Sequence, residues 1–236
     1  MDTPVVANAS GVLALTLQFA HPLVAAGLAS TNKFQQDPRL RLQHAAAIEV
    51  LMGNDPVASR QLAQRLAALH ARIKGELTTN VGPWKAGTRY IASDPELVLW
   101  VYTTLVVSRV TVFEAFHTSL CEGERDMFYR STFTFGEHFG VKQDMRPTTY
   151  GALLDYYHAT LPVLAVGSDG KELARSLLAS LKPVYHVVRP VLTQLLPPQL
   201  RSEYDLPWGK WQKLQARVLT PAMPRLFPLI DQLLRL

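Results

Sequence analysis

One apolar stretch, residues 97–113, constrains the fold of this 236-residue chain more than any other feature. Arg109 is its one charged residue, and the stretch falls short of the ~20 apolar residues that a membrane-spanning helix needs. We therefore expect a buried central helix that other apolar helices must cover, and no transmembrane span. Apolar residues make up 48% of the chain, which is enough to build a sizeable core around that helix.

Helix start and stop signals recur along the chain and predict an all-α fold. Asp37-Pro38 starts a helix predicted over residues 37–52, and Asp55-Pro56 starts one over 54–74 with Gly75 as its stop. Asp94-Pro95 starts the long central helix, which we expect to end near residue 119. Shorter helices are predicted over 122–138, 149–161, 171–181, 185–196 and 208–219, and no hairpin is predicted. We expect residues 1–236 to form a single globular α-helical domain.

Residues 76–92 form the one long irregular connection, and connections of that length inside a compact domain are usually functional. They include Gly82-Pro83-Trp84. Residues 11–29 are also apolar, but they lack a basic leading segment and are interrupted by His21-Pro22, so we do not expect a secretory signal. We expect the imidazole of His21 to cap the helix that Pro22 begins.

Charge and cysteine content exclude several classes of function. The formal net charge is only +5 and the basic residues are dispersed, which argues against nucleic acid as the main partner. Cys121 is the only cysteine, so intramolecular disulfides, zinc ribbons and redox pairs are excluded. We expect Cys121 to be a buried, inert thiol in a cytoplasmic protein.

Two histidines, His44 and His70, fall on the apolar sides of consecutive predicted helices. His44 shares a stripe with apolar residues at helical spacing, and His70 lies on the shoulder of a stripe formed by Leu62, Leu66, Leu69 and Ile73. Small residues around Ala67 leave room there for a flat, rigid ligand. Burying an imidazole costs free energy unless its nitrogens find partners, and neutral imidazole is a common metal ligand. The pattern alone leaves both a core histidine and a metal ligand open.

An ordered set of motifs resembles the MpaB-type oxygenase family, which is related to the rubber oxygenases. The resemblance extends from about residue 11 to the C-terminal helices. The motifs that carry it are Gln18-Phe19-Ala20-His21-Pro22, Asp37-Pro38 with Arg41-Leu42, His70 followed by Gly75, Gly87-x-x-Tyr90 with Asp94-Pro95, Trp100-Val101, Thr104-Leu105, Gly140-Val141 and Pro197-Pro198 with Leu200-Arg201.

The resemblance implies an all-α fold that holds haem b and uses dioxygen on a small apolar substrate of isoprenoid or lipid type. It implies that His70 is the proximal ligand of the haem iron. On the preceding helix it places Arg41 and His44 on the distal side, but His44 stands where the rubber oxygenase has Lys, and Ala45 stands where it has Thr. Thr104 matches a family threonine that can bond a haem edge or bound oxygen.

Arginines and a further histidine are candidates for contact with the haem propionates. Arg41 and Arg39 supply the cations that propionates require, although each also fits a solvated helix position. His21 is a third candidate, for which we favour the structural role. Ala67, one turn before His70, is the small residue expected against the macrocycle.

Two other readings remain open. Glu114/His117 and Asp155/His158 have the carboxylate and histidine spacing of di-iron helical bundles, which also require carboxylates such as Glu49 from other helices. A non-catalytic pocket for haem or lipid is the other reading, because fold does not imply function. The substrate, the oligomeric state and peripheral contact with a membrane are left open by the sequence.

Overall fold

The computed structural model describes residues 3–31 and 56–235 of the chain. Eleven α-helices lie in these two ranges and 71% of the structure is helical, which confirms the predicted all-α class. The helices are α1 (Pro4–Phe19), α2 (Pro22–Ser30), α3 (Pro56–His70), α4 (Pro95–Phe116), α5 (Glu122–Ser131), α6 (Phe133–Phe139), α7 (Tyr150–Thr160), α8 (Ser168–Ala179), α9 (Tyr185–Leu195), α10 (Pro198–Glu203) and α11 (Lys210–Arg235). A 3₁₀ turn (Leu161–Val163) follows α7, and strands β1 (Lys74–Glu76) and β2 (Arg89–Ile91) form one small sheet.

Helix α4 is the buried central helix that the apolar stretch predicts. Asp94 caps it by accepting a hydrogen bond from the backbone N–H of Glu96 at 2.9 Å, and Pro95 occupies the first turn, where its missing N–H costs nothing. Every residue from Tyr102 to Val110 is buried, Arg109 included. A helix that is apolar on all sides must be covered on all sides.

Four helices provide that cover: α1, α6, α7 and α11 all pack against α4. The contact with α1 is the most extensive, and it includes a buried polar bond from the amide Nε2 of Gln18 to Thr104 Oγ1 at 2.9 Å. Tyr204 then ties α1 to the chain after α10, because its hydroxyl donates to the carbonyl of Thr16 at 2.7 Å. Helix α1 is thereby held both to α4 and to the C-terminal half of the chain.

By length and composition, α4 is also the one single helix among residues 3–31 and 56–235 that passes a test for membrane-spanning helices. Of its apolar window, 78% is buried by the rest of the structure. Helices α1 and α2 pass the same test only as a pair, and that pair is bent by 103°. The burial of α4 marks it as a core helix of the domain.

The chain after α3 is not helical, which corrects two predictions. Helix α3 ends at His70 rather than Lys74, and Gly75 lies in β1 opposite Tyr90 of β2, where no hairpin was expected. A Cβ on Gly75 would lie 2.7 Å from the Tyr90 hydroxyl oxygen. The glycine therefore permits the close approach of the Tyr90 ring instead of terminating a helix. Because the strands are only three residues long, alternating polarity could not reveal them.

Residues 77–88, predicted as irregular, form an ordered extension of this hairpin. The backbone N–H of Leu77 donates to Thr88, and that of Gly87 donates back to the Leu77 carbonyl at 2.7 Å. At the tip, the indole N–H of Trp84 donates to the carbonyl of Val163 at 2.9 Å. The connection is thus ordered by its own backbone bonds and joined to the body of the protein at its tip.

Two further helix boundaries differ from the predictions. The helix expected over residues 122–138 breaks at Thr132 into α5 and α6. The last helix runs on to Arg235 instead of ending at residue 219, although Pro221, Pro224 and Pro228 lie within it. Proline normally ends a helix, but α11 buries an apolar face against α9 and α4, which offsets the lost backbone bonds. The helix predicted over residues 37–52 lies outside the described residues.

A substitution at Gly170 on α8 tests the packing of α8 against the end of α1. A Cβ at this position would overlap the carbonyl oxygen of Phe19, which is backbone and cannot swing away. We expect Gly170→Ala to lower the free energy of unfolding by about 1–3 kcal/mol, as measured by urea denaturation. Gly123→Ala is the control, because a Cβ there meets nothing within 4 Å. Equal stability of the two variants would contradict the close contact between α8 and the end of α1.

Candidate functional site

His70 lies at the C-terminal end of α3, on the face that packs against α6. Ser59 and Ala63 are buried, Leu66 and His70 are half-buried, and these residues follow one another at helical spacings of four, three and four. The predicted stripe through Leu62, Leu66, Leu69 and Ile73 is wrong, since Leu69 is 45% exposed. His70 lies on the packed face of the helix itself rather than on its shoulder.

Helix α6 contacts α3 through a hydrogen bond near the start of α3 and a ring contact at its end. Ser59 Oγ and His138 Nδ1 lie 2.8 Å apart, and the rings of Phe139 and His70 meet edge to face with centroids 6.0 Å apart. Gly140 ends α6 in the left-handed conformation, with φ of 100°, which glycine adopts without strain. One side of the His70 ring is therefore an aromatic wall, while the residue keeps an accessible portion.

Tyr102 on the central helix supports α6 from the other side. Gly136 lies so close to the Tyr102 ring that an added Cβ would be 3.0 Å from it, and the Tyr102 hydroxyl lies 2.7 Å from Thr132 Oγ1. Burial raises the pKa of Tyr102 to about 12, so this phenol stays neutral. The chain of contacts runs from α4 through α6 to α3, and it fixes the end of the helix that carries His70.

The predicted distal residues cannot be placed relative to His70. Arg39, Arg41, His44 and Ala45 lie outside the described residues, as does Glu49 of the di-iron alternative. Their predicted roles stay predictions. Ala67, the small residue expected beside a flat ligand, is exposed in the structure.

Thr104 lies in the contact between α4 and α1, where its hydroxyl already has two partners. It donates to the backbone carbonyl of Val101 at 2.6 Å and accepts from the Gln18 amide at 2.9 Å. The side chain is fully buried. This geometry gives Thr104 a packing role that the sequence did not reveal, because Gln18 is 86 residues away in the chain.

The carboxylate and histidine pairs of the di-iron alternative do not assemble in the described part of the chain. Glu114 forms an ion pair with Arg125 at 2.7 Å, and His117 is exposed just past the end of α4. Asp155 and His158 are both exposed on α7. Within residues 3–31 and 56–235, no group of three or more His, Cys, Asp or Glu side chains is placed to hold a metal ion.

A buried aromatic cluster around His21 was not foreseen. The His21 ring lies 5.1 Å from that of Trp84, at the hairpin tip, and 6.4 Å from that of Trp100 on α4. Trp100 also stacks on Tyr157, with ring centroids 5.9 Å apart. The signals were His21-Pro22 and the tryptophan in the long connection, but only the fold brings them together.

Buried polar atoms without partners lie in this cluster and further along α4. Among the described residues, His21 Nδ1, Trp100 Nε1 and Ser108 Oγ are buried and have no hydrogen-bond partner. His21 is the N-cap residue of α2 as expected, but its ring makes no capping bond. Burial lowers the pKa of His21 to about 4, so the imidazole is neutral near pH 7.

Cys121 is exposed, which corrects the prediction of a buried thiol. It is the N-cap residue of α5 and takes part in a capping box with Glu124. The carboxylate of Glu124 accepts from the backbone N–H of Cys121 at 2.7 Å. The cysteine is exposed because a helix start at the surface requires a cap, whatever its side chain.

The imidazole of His70 is a side chain that fits haem iron as a ligand. His70 offers one imidazole, whereas iron held by protein side chains alone needs several His or carboxylate ligands. In the described ranges no such cluster accompanies His70. A porphyrin supplies four nitrogen ligands of its own, so the protein provides only an axial ligand such as imidazole. The residue present therefore fits haem.

The fold and this ligand chemistry define an all-α protein with a half-buried imidazole, that of His70, at the contact between α3 and α6. The chain belongs to the family described as ER-bound oxygenase mpaB/B'/Rubber oxygenase, catalytic domain, whose family model matches residues 2–225. Oxygenases of this family are in general haem- or iron-dependent. No curated protein and no solved structure is significantly similar to the chain.

The buried neutral His21 predicts a pH dependence of stability. The unfolded chain binds the proton at the ordinary pKa of 6.5, whereas the folded protein binds it only near 4. Stability from this residue is therefore complete above pH 6.5 and is lost as the pH falls through this window, by about 3 kcal/mol at pH 4. Urea denaturation at pH 7 and pH 4 should show that His21→Gln loses less stability on acidification than the wild type. Equal losses would contradict the buried neutral state.

The bond between Gln18 and Thr104 predicts energetic coupling. Thr104→Val keeps the shape of the side chain but leaves the buried Gln18 amide without its acceptor, which should cost about 1–3 kcal/mol. In the Gln18→Met background the same change should cost clearly less, as a double-mutant cycle measures. If the free-energy costs of the two substitutions simply add, the two side chains are not coupled, which would contradict the hydrogen bond. A loss of oxygenase turnover from Thr104→Val in that background would instead support the haem-edge role.

Proposed function

We propose that this protein is a haem b oxygenase that uses dioxygen on a small apolar substrate, with His70 as the proximal ligand. The observation that carries the proposal is the half-buried His70 at the end of α3, in a chain of the oxygenase family. Its other support is the chemical fit of an imidazole to haem iron. The same proposal places the protein in the cytoplasm.

When bound, haem supplies an iron that activates dioxygen for attack on an electron-rich double bond or a C–H bond. His70 would hold the iron through a neutral ring nitrogen. The edge contact with Phe139 restricts the rotation of the His70 ring, which fixes the direction in which that nitrogen points. The Ser59 and His138 bond ties the first turn of α3 to α6, so the helix cannot shift freely along α6.

Other residues of the chain complete the proposal on the strength of the resemblance. Arg41 and Arg39 would neutralise the propionates, because a carboxylate beside an apolar pocket needs a cation. His44 would supply an imidazole that holds or delivers a proton during the chemistry of dioxygen. Ala45 cannot donate a hydrogen bond as Thr does, so we expect a substrate different from that of the rubber oxygenase.

The absorption spectrum tests the haem assignment. The protein reconstituted with haemin should show a Soret band that His70→Ala reduces or shifts, because the axial imidazole is removed. In His70→Gly, added imidazole should restore the wild-type spectrum by entering the space that the side chain leaves. His138→Ala is the matched control: it loosens the same helix pair by removing the Ser59 contact but removes no proposed ligand.

Three results would overturn parts of this proposal. A wild-type protein without a Soret band would rule out haem, and a spectrum unchanged in His70→Ala would rule out His70 as the ligand. Oxygen consumption with an isoprenoid or unsaturated lipid tests the activity separately. Haem uptake without oxygen consumption on any such substrate would favour a non-catalytic binding protein.

A further inference from the structure

Helix α11 exposes a row of large apolar side chains, which we call the outer stripe. Its members are Trp211, Leu214, Val218, Leu229 and Leu233, with exposures of 64%, 52%, 61%, 60% and 45%. The first three follow the helical spacing of three and four residues. Val218 and Leu229 are eleven residues apart, which is about three turns, so both ends of the stripe lie on one side of the helix.

The opposite side of α11 is a normal core-packing face. Ala216, Thr220, Met223 and Ile230 are buried there, and the helix packs against α9, α4 and α1. Helix α11 thus has two apolar sides, and the described part of the chain covers one of them. Single exposed apolar residues are ordinary on protein surfaces, but two clusters of them on one side of a helix, Trp211 to Val218 and Leu229 with Leu233, mark an interaction site.

The charges on α11 indicate which kind of surface the outer stripe binds. The helix carries five basic residues and one acidic residue, Asp231. Lys210, Lys213, Arg217 and Arg225 are all exposed. Exposed basic side chains beside an apolar stripe are the pattern of a helix that lies in the plane of a membrane. Their charge attracts anionic headgroups while the stripe enters the boundary of the acyl chains.

We propose that α11 binds the surface of an anionic lipid bilayer through its outer stripe, with Lys210, Lys213, Arg217 and Arg225 contacting the headgroups. Trp211 is well suited to this boundary, because indole combines a large apolar ring with one polar N–H group. Long basic side chains reach the headgroups while their stems lie along apolar surface. The helix lies on the membrane and does not cross it, since its other side packs in the protein core.

The charges favour a bilayer over a second copy of the chain. A symmetric dimer through the outer stripe would bring the same patch of two copies together, and with it two sets of lysines and arginines. Like charges facing each other oppose association. An anionic bilayer instead supplies opposite charge to every basic residue along the helix.

This binding goes beyond the proposed oxygenase activity and does not depend on it. None of the stripe residues is a proposed haem ligand, so vesicle binding and the haem spectrum are separate measurements. Apolar substrates of isoprenoid or lipid type partition into membranes, and a bound α11 would keep the protein where such a substrate concentrates.

Vesicle flotation of the full-length protein tests the proposal. We expect the protein to float with vesicles of phosphatidylcholine containing about 30% phosphatidylserine, because anionic headgroups attract the basic side chains. Vesicles of pure phosphatidylcholine should bind it much less. Trp211→Ser/Val218→Ser should weaken binding at least about tenfold by removing apolar contact. Lys213→Glu/Arg217→Glu should weaken it by a similar factor, and only with the anionic vesicles.

Matched controls separate the stripe from general effects of substitution. Met127→Ser removes an apolar side chain that is 67% exposed on α5, and Lys85→Glu/Lys142→Glu reverses two exposed charges on other elements. Both controls should bind as the wild type does. Circular dichroism verifies that each variant is folded.

Three outcomes would overturn the proposal. One is a wild-type protein that stays with the unbound fraction, and another is equal binding by the stripe variants and the controls. The third is a dimer in light scattering that Trp211→Ser/Val218→Ser dissociates, which would assign the stripe to a second copy of the chain. Quenching of tryptophan fluorescence by brominated lipid, lost in Trp211→Phe, would locate the helix at the headgroup boundary and support the proposal.

Discussion

The rest of the structure depends on the complete burial of α4. A 22-residue helix with an unbroken buried segment from Tyr102 to Val110 has no side that water can solvate favourably, so other helices must cover it. Helix α1 covers the largest part, and the Gln18 and Thr104 bond satisfies polar atoms inside that contact. A buried polar pair does little for net stability but fixes the register of the two helices, because a shifted register would leave both groups unpaired.

The position of the candidate site depends on this core indirectly, through α6. Tyr102 on α4 contacts α6 at Gly136 and the α5–α6 junction at Thr132, and α6 in turn contacts Ser59 and His70. His70 is therefore positioned by a stack of packed elements rather than by its own helix alone. A proposed iron ligand needs such support, since a loosely held imidazole loses the orientation that ligation requires.

Several elements of the fold could be predicted from local sequence because their signals are local. Asp94-Pro95 predicts the start of α4 through a capping bond two residues away, and the apolar run predicts its burial. The strands β1 and β2 could not be predicted, because three residues are too few to show alternation and their pairing is set by the Tyr90 contact with Gly75. The last helix was predicted to end at residue 219, but tertiary packing of its inner face sustains α11 to Arg235 in spite of three prolines.

The sequence by itself determined the helical class and the central helix, and its ordered motifs carried the resemblance that gave the oxygenase family, with His70 as the ligand which that resemblance implies. These depend on residue order and on short-range spacing, which a chain carries before it folds. Only the tertiary structure decided that His70 lies on the packed face of α3, that Thr104 bonds Gln18, and that Trp84 covers His21. It also decided which side of α11 is left exposed. The sequence shows two apolar sides of this helix but does not distinguish the one that packs in the core.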